Sequence, residues 1–183
     1  MKKRIIACST AVIISLAATL WPQTLRTSPE AQQMMAKYED CRKTPYYCPA
    51  GVLTVGIGST GKVQDRLHSE GEIAERWVND VMRAEKCVNR EFNGAAAPPR
   101  VFDSMTDGAF NVGCTGLAWY TNKQLKKVRT TLWRNAQAGD WRGVCERLPD
   151  FVNAAGKKLP GLVKRRAEFS EWCLSDPALK VAR

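Results

Sequence analysis

Apolar residues recur at helical spacing over most of the chain. The longest case begins at Ser69, where Ile73, Trp77, Val81 and Cys87 fall near one stripe of an amphipathic helix. Helices are predicted in this way over residues 28–42, 69–92, 100–114, 121–139, 140–148 and 162–174. The first of them starts well at Ser28, before a proline, and must end in the "KTPYYCPAG" stretch because its two prolines and its glycine interrupt a helix.

A strand pattern replaces the helical one at residues 52–58, "VLTVGIG". Leu53, Val55 and Ile57 alternate with residues of the other face, so Thr54 points away from the aliphatic row. The surrounding glycines suit tight turns and a short twisted hairpin. The pattern therefore predicts an α+β chain in which a helix and a small β-hairpin are followed by a helical lobe.

The N-terminus has the pattern of an export signal. Residues 1–4, "MKKR", contain three basic residues, and residues 5–21 form a mainly apolar run that should engage the export machinery. Seventeen residues are at the lower limit for crossing a bilayer core of about 30 Å, and weakly polar residues such as Ser9, Ser15 and Thr19 dilute the run. Two interpretations stay open: a signal peptide cleaved near Ser15-Leu16-Ala17, or an uncleaved membrane helix weak enough to leave the bilayer. The second divides the chain into a membrane segment, 1–22, and a domain, 23–183.

Charge and length narrow the class of protein. A length of 183 residues predicts a single domain with a hydrophobic core of its own. The formal net charge of +10 favours a polyanionic binding partner. Nucleic acid is not expected, because the chain has neither zinc-finger spacing nor a basic helix with heptads. The polyanionic partners that remain are an anionic cell wall and an anionic lipid surface.

Seven cysteines are many for a cytosolic protein of this size. They contain no C-x-x-C pair, which favours disulfides in an oxidising compartment over a metal site, and no metal or cofactor is expected. Because the number is odd, one thiol must stay outside the intramolecular pairs. Cys87, Cys114, Cys145 and Cys173 are expected to staple the helical lobe; three pairings are possible, and 87 with 114 and 145 with 173 is preferred.

The candidate chemistry lies where the first helix meets the hairpin. Glu39 near the helix end, Cys48 in the turn and Thr54 on the polar side of the strand are expected to converge in a notch. Hydrolysis of a glycoside there would need an acid, for which Glu39 is suited, and a group that places water. Asp40 is assigned to the solvated surface, since neighbours on a helix point about 100° apart.

Two further residue types are candidates for other roles. His68, the only histidine, could partner Cys48 in a cysteine hydrolase, but its polar stretch "QDRLHSE" favours a surface loop. Trp119 and Tyr120, next to a turn with glycine, are the better candidates for stacking on a sugar.

Glu39, Cys48 and Thr54, with "TPYYCPAGVLTVGIGSTG" around them, resemble the catalytic region of the phage T4-type lysozyme family, glycoside hydrolase family 24. The later segments "AFNVGCTG" and "LPGLVKRRAE" resemble the family's helical lobe, and the membrane-tethered signal-arrest-release endolysins are the most similar members. The resemblance implies a lysozyme-like α+β fold, with a small lobe that contains the hairpin, a larger helical lobe and a cleft between them. It also implies a muramidase that hydrolyses the β-1,4 bond between N-acetylmuramic acid and N-acetylglucosamine in peptidoglycan, and the protein is expected to be a monomer. Cys48 then stands where the family has Asp or Cys, and Thr54 would hydrogen-bond the same water.

The same resemblance implies regulation by disulfide exchange. A Cys41–Cys48 bond would block Cys48, and Cys8, once out of the membrane, would attack Cys41 and release the Cys48 thiol. A permanent Cys41–Cys48 staple with an idle Cys8 is the alternative.

The function predicted is host cell lysis by an enzyme that is first tethered on the periplasmic side of the inner membrane and then released to the periplasm. The rival functions are a non-enzymatic, disulfide-stapled wall-binding protein and the cysteine hydrolase.

Overall fold

The structure is a computed structural model that describes residues 5–48, 51–154 and 156–180. The basic residues of the predicted export signal, 2–4, lie outside these ranges. The elements in chain order are α1 (Thr10–Leu20), α2 (Pro29–Ala36), β1 (Cys41–Tyr47), β2 (Leu53–Ile57), α3 (Glu70–Glu91), α4 (Pro99–Val112), α5 (Cys114–Ala118), β3 (Trp119–Thr121), β4 (Lys127–Arg129), α6 (Thr131–Ala138), α7 (Trp141–Arg147), β5 (Asn153–Ala154), β6 (Lys157–Lys158) and α8 (Pro160–Leu174). The chain forms two compact units, Met1–Leu25 with Gln32–Met82, and Arg26–Ala31 with Arg83–Arg183.

The first unit is built around the antiparallel β1–β2 hairpin. Cys41 pairs with Ile57 and Tyr46 with Thr54, and the register is irregular between Arg42 and Tyr46. Residues 6–8 run along the other edge of β1, where the Cys8 N–H donates to the Cys41 carbonyl at 3.0 Å. The start of the chain is therefore an added edge of the hairpin.

The prediction that the first helix continues to residue 42 was wrong. Its start is as expected, since the Ser28 hydroxyl accepts a hydrogen bond from the Ala31 N–H at 3.2 Å. The helix ends at Ala36, whose carbonyl accepts the Glu39 N–H at 3.1 Å in a tightened last turn. Cys41 belongs instead to the ladder of β1, so pairing with β2 has overridden the local helical pattern.

Apolar side chains of several elements form the core of the first unit. Ile13, Ile14 and Ala17 on α1 are buried, although α1 is only 11 residues long. The other buried members include Met35, Val55, Ile57, Ile73, Trp77 and Val81. Within the described part of the chain, no helix is both long and apolar enough for a membrane span.

The second unit is mainly helical, and the periodicity of the sequence predicted its helices α4, α7 and α8. Its core includes Val88, Phe92, Val101, Phe102, Met105, Leu132, Val144 and Leu148. Disulfides join Cys87 to Cys114 and Cys145 to Cys173, which is the pairing preferred from the sequence. Each bond links two separate helices of this unit.

The connector Arg26-Thr27-Ser28 is fastened to the second unit at all three residues. The Arg26 guanidinium donates to the carbonyls of Gly94 at 2.7 Å and Ala97 at 2.6 Å. Thr27 donates through its N–H and its hydroxyl to Glu85, both at 2.7 Å. Ser28 donates in the same two ways to Asp103, at 2.9 and 2.7 Å. These bonds fix the point at which α2 begins.

Residues 121–129 were predicted to be helical, and this was wrong. They form the β3–β4 hairpin, in which Tyr120 pairs with Val128, and helix α6 begins only at Thr131. The reason is the side chain of Asn122, whose Oδ1 accepts the N–H groups of Gln124 at 3.0 Å and Lys126 at 2.9 Å. Such a side-chain bond to the backbone competes with helix formation and favours a turn.

Candidate active site

Glu39 stands in the turn between α2 and β1. This turn is held by the bond from its own N–H to Ala36, so the carboxylate projects just beyond the helix end. Gly58, directly after β2, lies beside it: a Cβ built on Gly58 would be 3.3 Å from Glu39 Oε2. Because Gly58 has no side chain, the Glu39 carboxylate has room at this position.

Cys48 and Thr54 are placed by the hairpin itself. The Cys48 N–H donates to the Val52 carbonyl at 3.0 Å, and the Cys48 carbonyl accepts the Gly51 N–H at 2.8 Å. Thr54 lies on β2, is 2% exposed, and donates its hydroxyl to the Val52 carbonyl at 2.9 Å. The turn and the strand thus hold both side chains in defined positions.

Glu39, Cys48 and Thr54 line a single cavity of about 640 Å³ in the first unit. The other lining residues are Lys37, Tyr38, Asp40, Arg42, Tyr46, Tyr47, Gly58 and Thr60. The three side chains that the sequence singled out therefore line one open cavity. Its volume is large enough to hold part of a glycan.

The basic and aromatic lining was not foreseen. Arg42 lies 4.3 Å from the centroid of the Tyr46 ring, and its guanidinium is 2.9 Å from the Asp40 carboxylate. Burial raises the pKa of Tyr46, and the negative charges of Asp40, Glu39 and Cys48 act in the same direction, against the influence of Arg42. For the aromatic residues, the signal in the sequence was the run "TPYY" directly before Cys48.

Asp40 is exposed, as predicted, with 72% of its side chain accessible. The reason is not the helical geometry that the prediction assumed, because Glu39 and Asp40 lie beyond the end of α2. Asp40 contacts Arg42 at the rim of the cavity, while Glu39 lies against Gly58. Adjacent carboxylates thus have separate surroundings.

The prediction that His68 is a surface residue was wrong. His68 is 2% exposed, since its N–H donates to the Lys43 carbonyl of β1 at 2.9 Å and so draws the loop against the hairpin. Its Nε2 lies 3.0 Å from the Gln64 carbonyl oxygen. A thiol hydrolase needs the imidazole within reach of the thiol. His68 is absent from the described lining of the cavity that contains Cys48, which disfavours that function.

The cysteines of the first unit are in one particular arrangement. Cys8 is bonded to Cys41, with their Cα atoms 5.0 Å apart. Among the described residues, Cys48 is the cysteine that lies outside the disulfides. A thiol is therefore present at the cavity wall in this form of the molecule.

The two residues proposed for sugar stacking lie in the second unit. The Trp119 ring is covered by Arg129 at 3.8 Å and by Lys127 at 5.4 Å from its centroid. Tyr120 is 50% exposed on the neighbouring position of β3. With cations already over its ring, Trp119 is a weak platform for a sugar.

Comparison with known proteins identifies the family. The family described as "Phage lysozyme" matches residues 36–168, more than half of the chain. The SAR-endolysin of Escherichia phage P1 is 37% identical over 170 residues, which cover 92% of this chain and 91% of the phage protein.

Two crystal structures of the P1 phage endolysin Lyz are also similar. The active form has a TM-score of 0.86 at 38% identity and covers 92% of this chain and 94% of its own. The secreted inactive form has a TM-score of 0.54 at 41% identity and covers 69% and 81%. This chain therefore has the α+β lysozyme-like fold and belongs to the phage lysozyme family of muramidases, as an endolysin that acts on peptidoglycan.

Proposed function

We propose that this endolysin hydrolyses the β-1,4 bond between N-acetylmuramic acid and N-acetylglucosamine, with Glu39, Cys48 and Thr54 as its catalytic residues. The observation that carries the proposal is that these three side chains line one cavity. The same residues carried the resemblance in the sequence, and the described lining contains only one other carboxylate, that of the exposed Asp40.

The roles follow from the chemistry of each group. Glu39 in its acid form protonates the glycosidic oxygen as the bond to the muramic acid breaks. Cys48, after losing its thiol proton to solvent, holds the attacking water and accepts a proton from it as the thiolate, with Thr54 as a second hydrogen-bond partner once its hydroxyl turns from the Val52 carbonyl. After the bond is cleaved, Glu39 takes up a proton from solvent and the Cys48 thiol gives one up, so both groups regain their starting forms.

The test replaces Glu39 by Gln in the full chain and measures the release of reducing sugar ends from purified peptidoglycan. We expect a loss of at least about a hundredfold, the usual contribution of a general acid. Asp40→Asn is the matched control, because it removes an adjacent carboxylate at the same cavity, and it should keep most of the activity. If Glu39→Gln keeps most activity too, the assignment of the acid is wrong.

We further infer that residues 1–22 anchor the exported protein in the inner membrane, on its periplasmic side, until they leave the bilayer. The support is the apolar run of residues 5–21 and the names of the relatives, which are SAR-endolysins. Burial of Ile13, Ile14 and Ala17 is consistent with a segment that folds onto the protein after release. The muramidase domain would then be residues 23–183.

Release would be coupled to exchange of one disulfide. In the tethered form a Cys41–Cys48 bond blocks Cys48. The Cys8 thiolate attacks Cys41 Sγ, a Cys8–Cys41 bond forms, and Cys48 leaves as a thiolate that takes up a proton. No external oxidant is required, since one disulfide and one thiol are present before and after. The Cys8–Cys41 bond and the greater similarity to the active P1 form support this product state.

Cys8→Ser tests the exchange. The variant should stay inactive after release from the membrane, because nothing opens the Cys41–Cys48 bond, and a mild thiol reductant should activate it. Cys41→Ser is the matched control, expected to be active without exchange and to gain nothing from the reductant. Lysis by Cys8→Ser without reductant would exclude the exchange. It would not affect the assignment of Glu39 as the acid, which the Glu39→Gln variant tests.

A further inference from the structure

The tip of the β3–β4 hairpin, residues 122–127, combines an exposed leucine with a cluster of lysines. Leu125 is 87% exposed, and Lys123, Lys126 and Lys127 are exposed around it. From residue 108 to residue 139 the chain contains no Asp or Glu. The tip is thus an apolar side chain among exposed lysines, in a stretch of the chain that has no acidic residue.

The tip is held rigidly by its own backbone. The Asn122 N–H donates to the Lys126 carbonyl at 2.9 Å, and the Leu125 N–H donates to the Asn122 carbonyl at 3.0 Å. Leu125 has a φ of 59°, a left-handed conformation that Asn or Gly adopts more easily than a bulky residue. Local stability therefore does not explain a leucine at this position, and such an outlier points to a function of the side chain.

The base of the hairpin is equally well fixed. Arg129 contacts the rings of Trp119 and Trp133, at 3.8 and 4.3 Å from their centroids. Its guanidinium also donates to Glu91 at 2.9 Å, so the charge of Arg129 is compensated within the protein. Lys123, Lys126 and Lys127 are the exposed cations of the tip, and Lys127 also lies 5.4 Å from the centroid of the Trp119 ring.

We propose that this hairpin tip docks on an anionic phospholipid surface. Lysines near such a surface are attracted by its negative potential, and a protruding leucine can enter the boundary between headgroups and acyl chains. An anionic wall polymer would satisfy the lysines but offers a hydrated medium to the leucine. The combination therefore fits lipid better than wall, and it would keep the enzyme near the membrane after its N-terminal segment has left the bilayer.

The test is sedimentation of the full-length protein, with its Cys8–Cys41 bond intact, with vesicles of phosphatidylcholine with or without phosphatidylglycerol. Replacing Lys123, Lys126 and Lys127 by Gln should weaken binding to the anionic vesicles by about a hundredfold, at about fivefold per lysine. Leu125→Asn should weaken it by about tenfold or more, and because Asn suits the left-handed backbone, a folding defect would not account for the loss. The N-terminal segment is common to all variants.

The matched control replaces three other exposed lysines, Lys157, Lys158 and Lys164, by Gln. If the control loses as much binding as the tip variant, net charge alone is responsible and the proposal fails. If the tip variants lose binding to lipid-free peptidoglycan and keep binding to vesicles, the partner is an anionic wall polymer and the proposal fails as well. Hydrolysis of lipid-free peptidoglycan should be unchanged in all of them, which separates this site from the catalytic one.

Discussion

Gly58 shows how closely the position of the candidate acid is determined. Its φ of 73° favours glycine, and a Cβ at this position would come within 3.3 Å of the Glu39 carboxylate. Gly61 has almost the same φ, 74°, yet a Cβ there would meet nothing within 4 Å. The two glycines therefore share one backbone requirement and differ only in contact with Glu39.

This pair provides a prediction about catalysis. Gly58→Ala and Gly61→Ala should each destabilise the fold by about 1 kcal/mol through the left-handed backbone. Only Gly58→Ala should also lower kcat for peptidoglycan, by about tenfold or more, because the new methyl group displaces the carboxylate. Thermal unfolding and steady-state hydrolysis on both proteins test this. An equal effect of the two changes on kcat would contradict it.

At the residue scale the sequence predicted the three candidate side chains but not their surroundings. Their spacing identified Glu39, Cys48 and Thr54, because it resembles a family pattern. Arg42 and Tyr46 also line the cavity, and the register of the hairpin is irregular between them. Periodicity in the sequence does not encode such an irregularity. His68 was misplaced because a backbone bond to Lys43, distant in the chain, buries it.

At the scale of elements, α3 begins with a reciprocal cap. The Ser69 hydroxyl accepts the Glu72 N–H at 3.2 Å, and the Ser69 N–H donates to the Glu72 carboxylate at 2.8 Å. Arg66 also contacts this carboxylate. Hydrogen bonds from Arg66, followed by those from Ser69, lower the pKa of Glu72 from 4.5 to about 2.

The cap should make part of the stability depend on pH. Because the folded-state pKa of Glu72 is depressed, its contribution is complete above pH 4.5 and is lost as the pH falls toward about 2. Glu72→Gln should therefore melt at a lower temperature than the parent near neutral pH, and the difference should disappear toward pH 2. Glu75→Gln, which removes a charge from the same helix without touching the cap, is the control. A difference between the two variants that does not change with pH would contradict the role of the cap.

Periodicity predicted the long elements and failed at the short ones. Helix α3 buries a continuous apolar stripe, so its pattern can be read in the sequence, whereas α4 and α8 also bury charged residues such as Asp107, Arg165 and Arg166. The strand β1 contains Pro45 and mixed polar residues, and its pairing depends on β2 and on residues 6–8. The β3–β4 hairpin depends on the side chain of Asn122. Short strands are thus set by contacts that a local pattern does not contain.

At the scale of the whole molecule, the two disulfides of the second unit should contribute similar chain entropy. Cys87–Cys114 and Cys145–Cys173 close loops with sequence separations of 27 and 28 residues. Each loop corresponds to about 3.5 kcal/mol in the chain-entropy description. Cys145 and Cys173 are in addition fully buried, whereas Cys114 is only partly buried.

Removing the buried bond should therefore have the larger effect. The double change Cys145→Ala and Cys173→Ala should lower the free energy of unfolding by about 4 kcal/mol or more, and the melting temperature by about 10 °C or more. Cys87→Ala with Cys114→Ala should cost about 3 kcal/mol without the added loss of buried sulfur. Denaturant unfolding under oxidising conditions measures both. A smaller loss for the 145–173 pair would show that strain in that bond outweighs its burial.

The fastening of Arg26-Thr27-Ser28 to the second unit sets a limit on reach. Only residues 21–25 separate the end of α1 from Arg26, and five extended residues span at most about 18 Å. On the proposed membrane-anchored route, Arg26 would therefore remain within roughly that distance of the end of the membrane helix for as long as its bonds hold. The reach of the enzyme toward peptidoglycan would then be limited to this tether plus its own dimensions, even if the Cys48 thiol were released early. Distance would then restrain lysis independently of the disulfide.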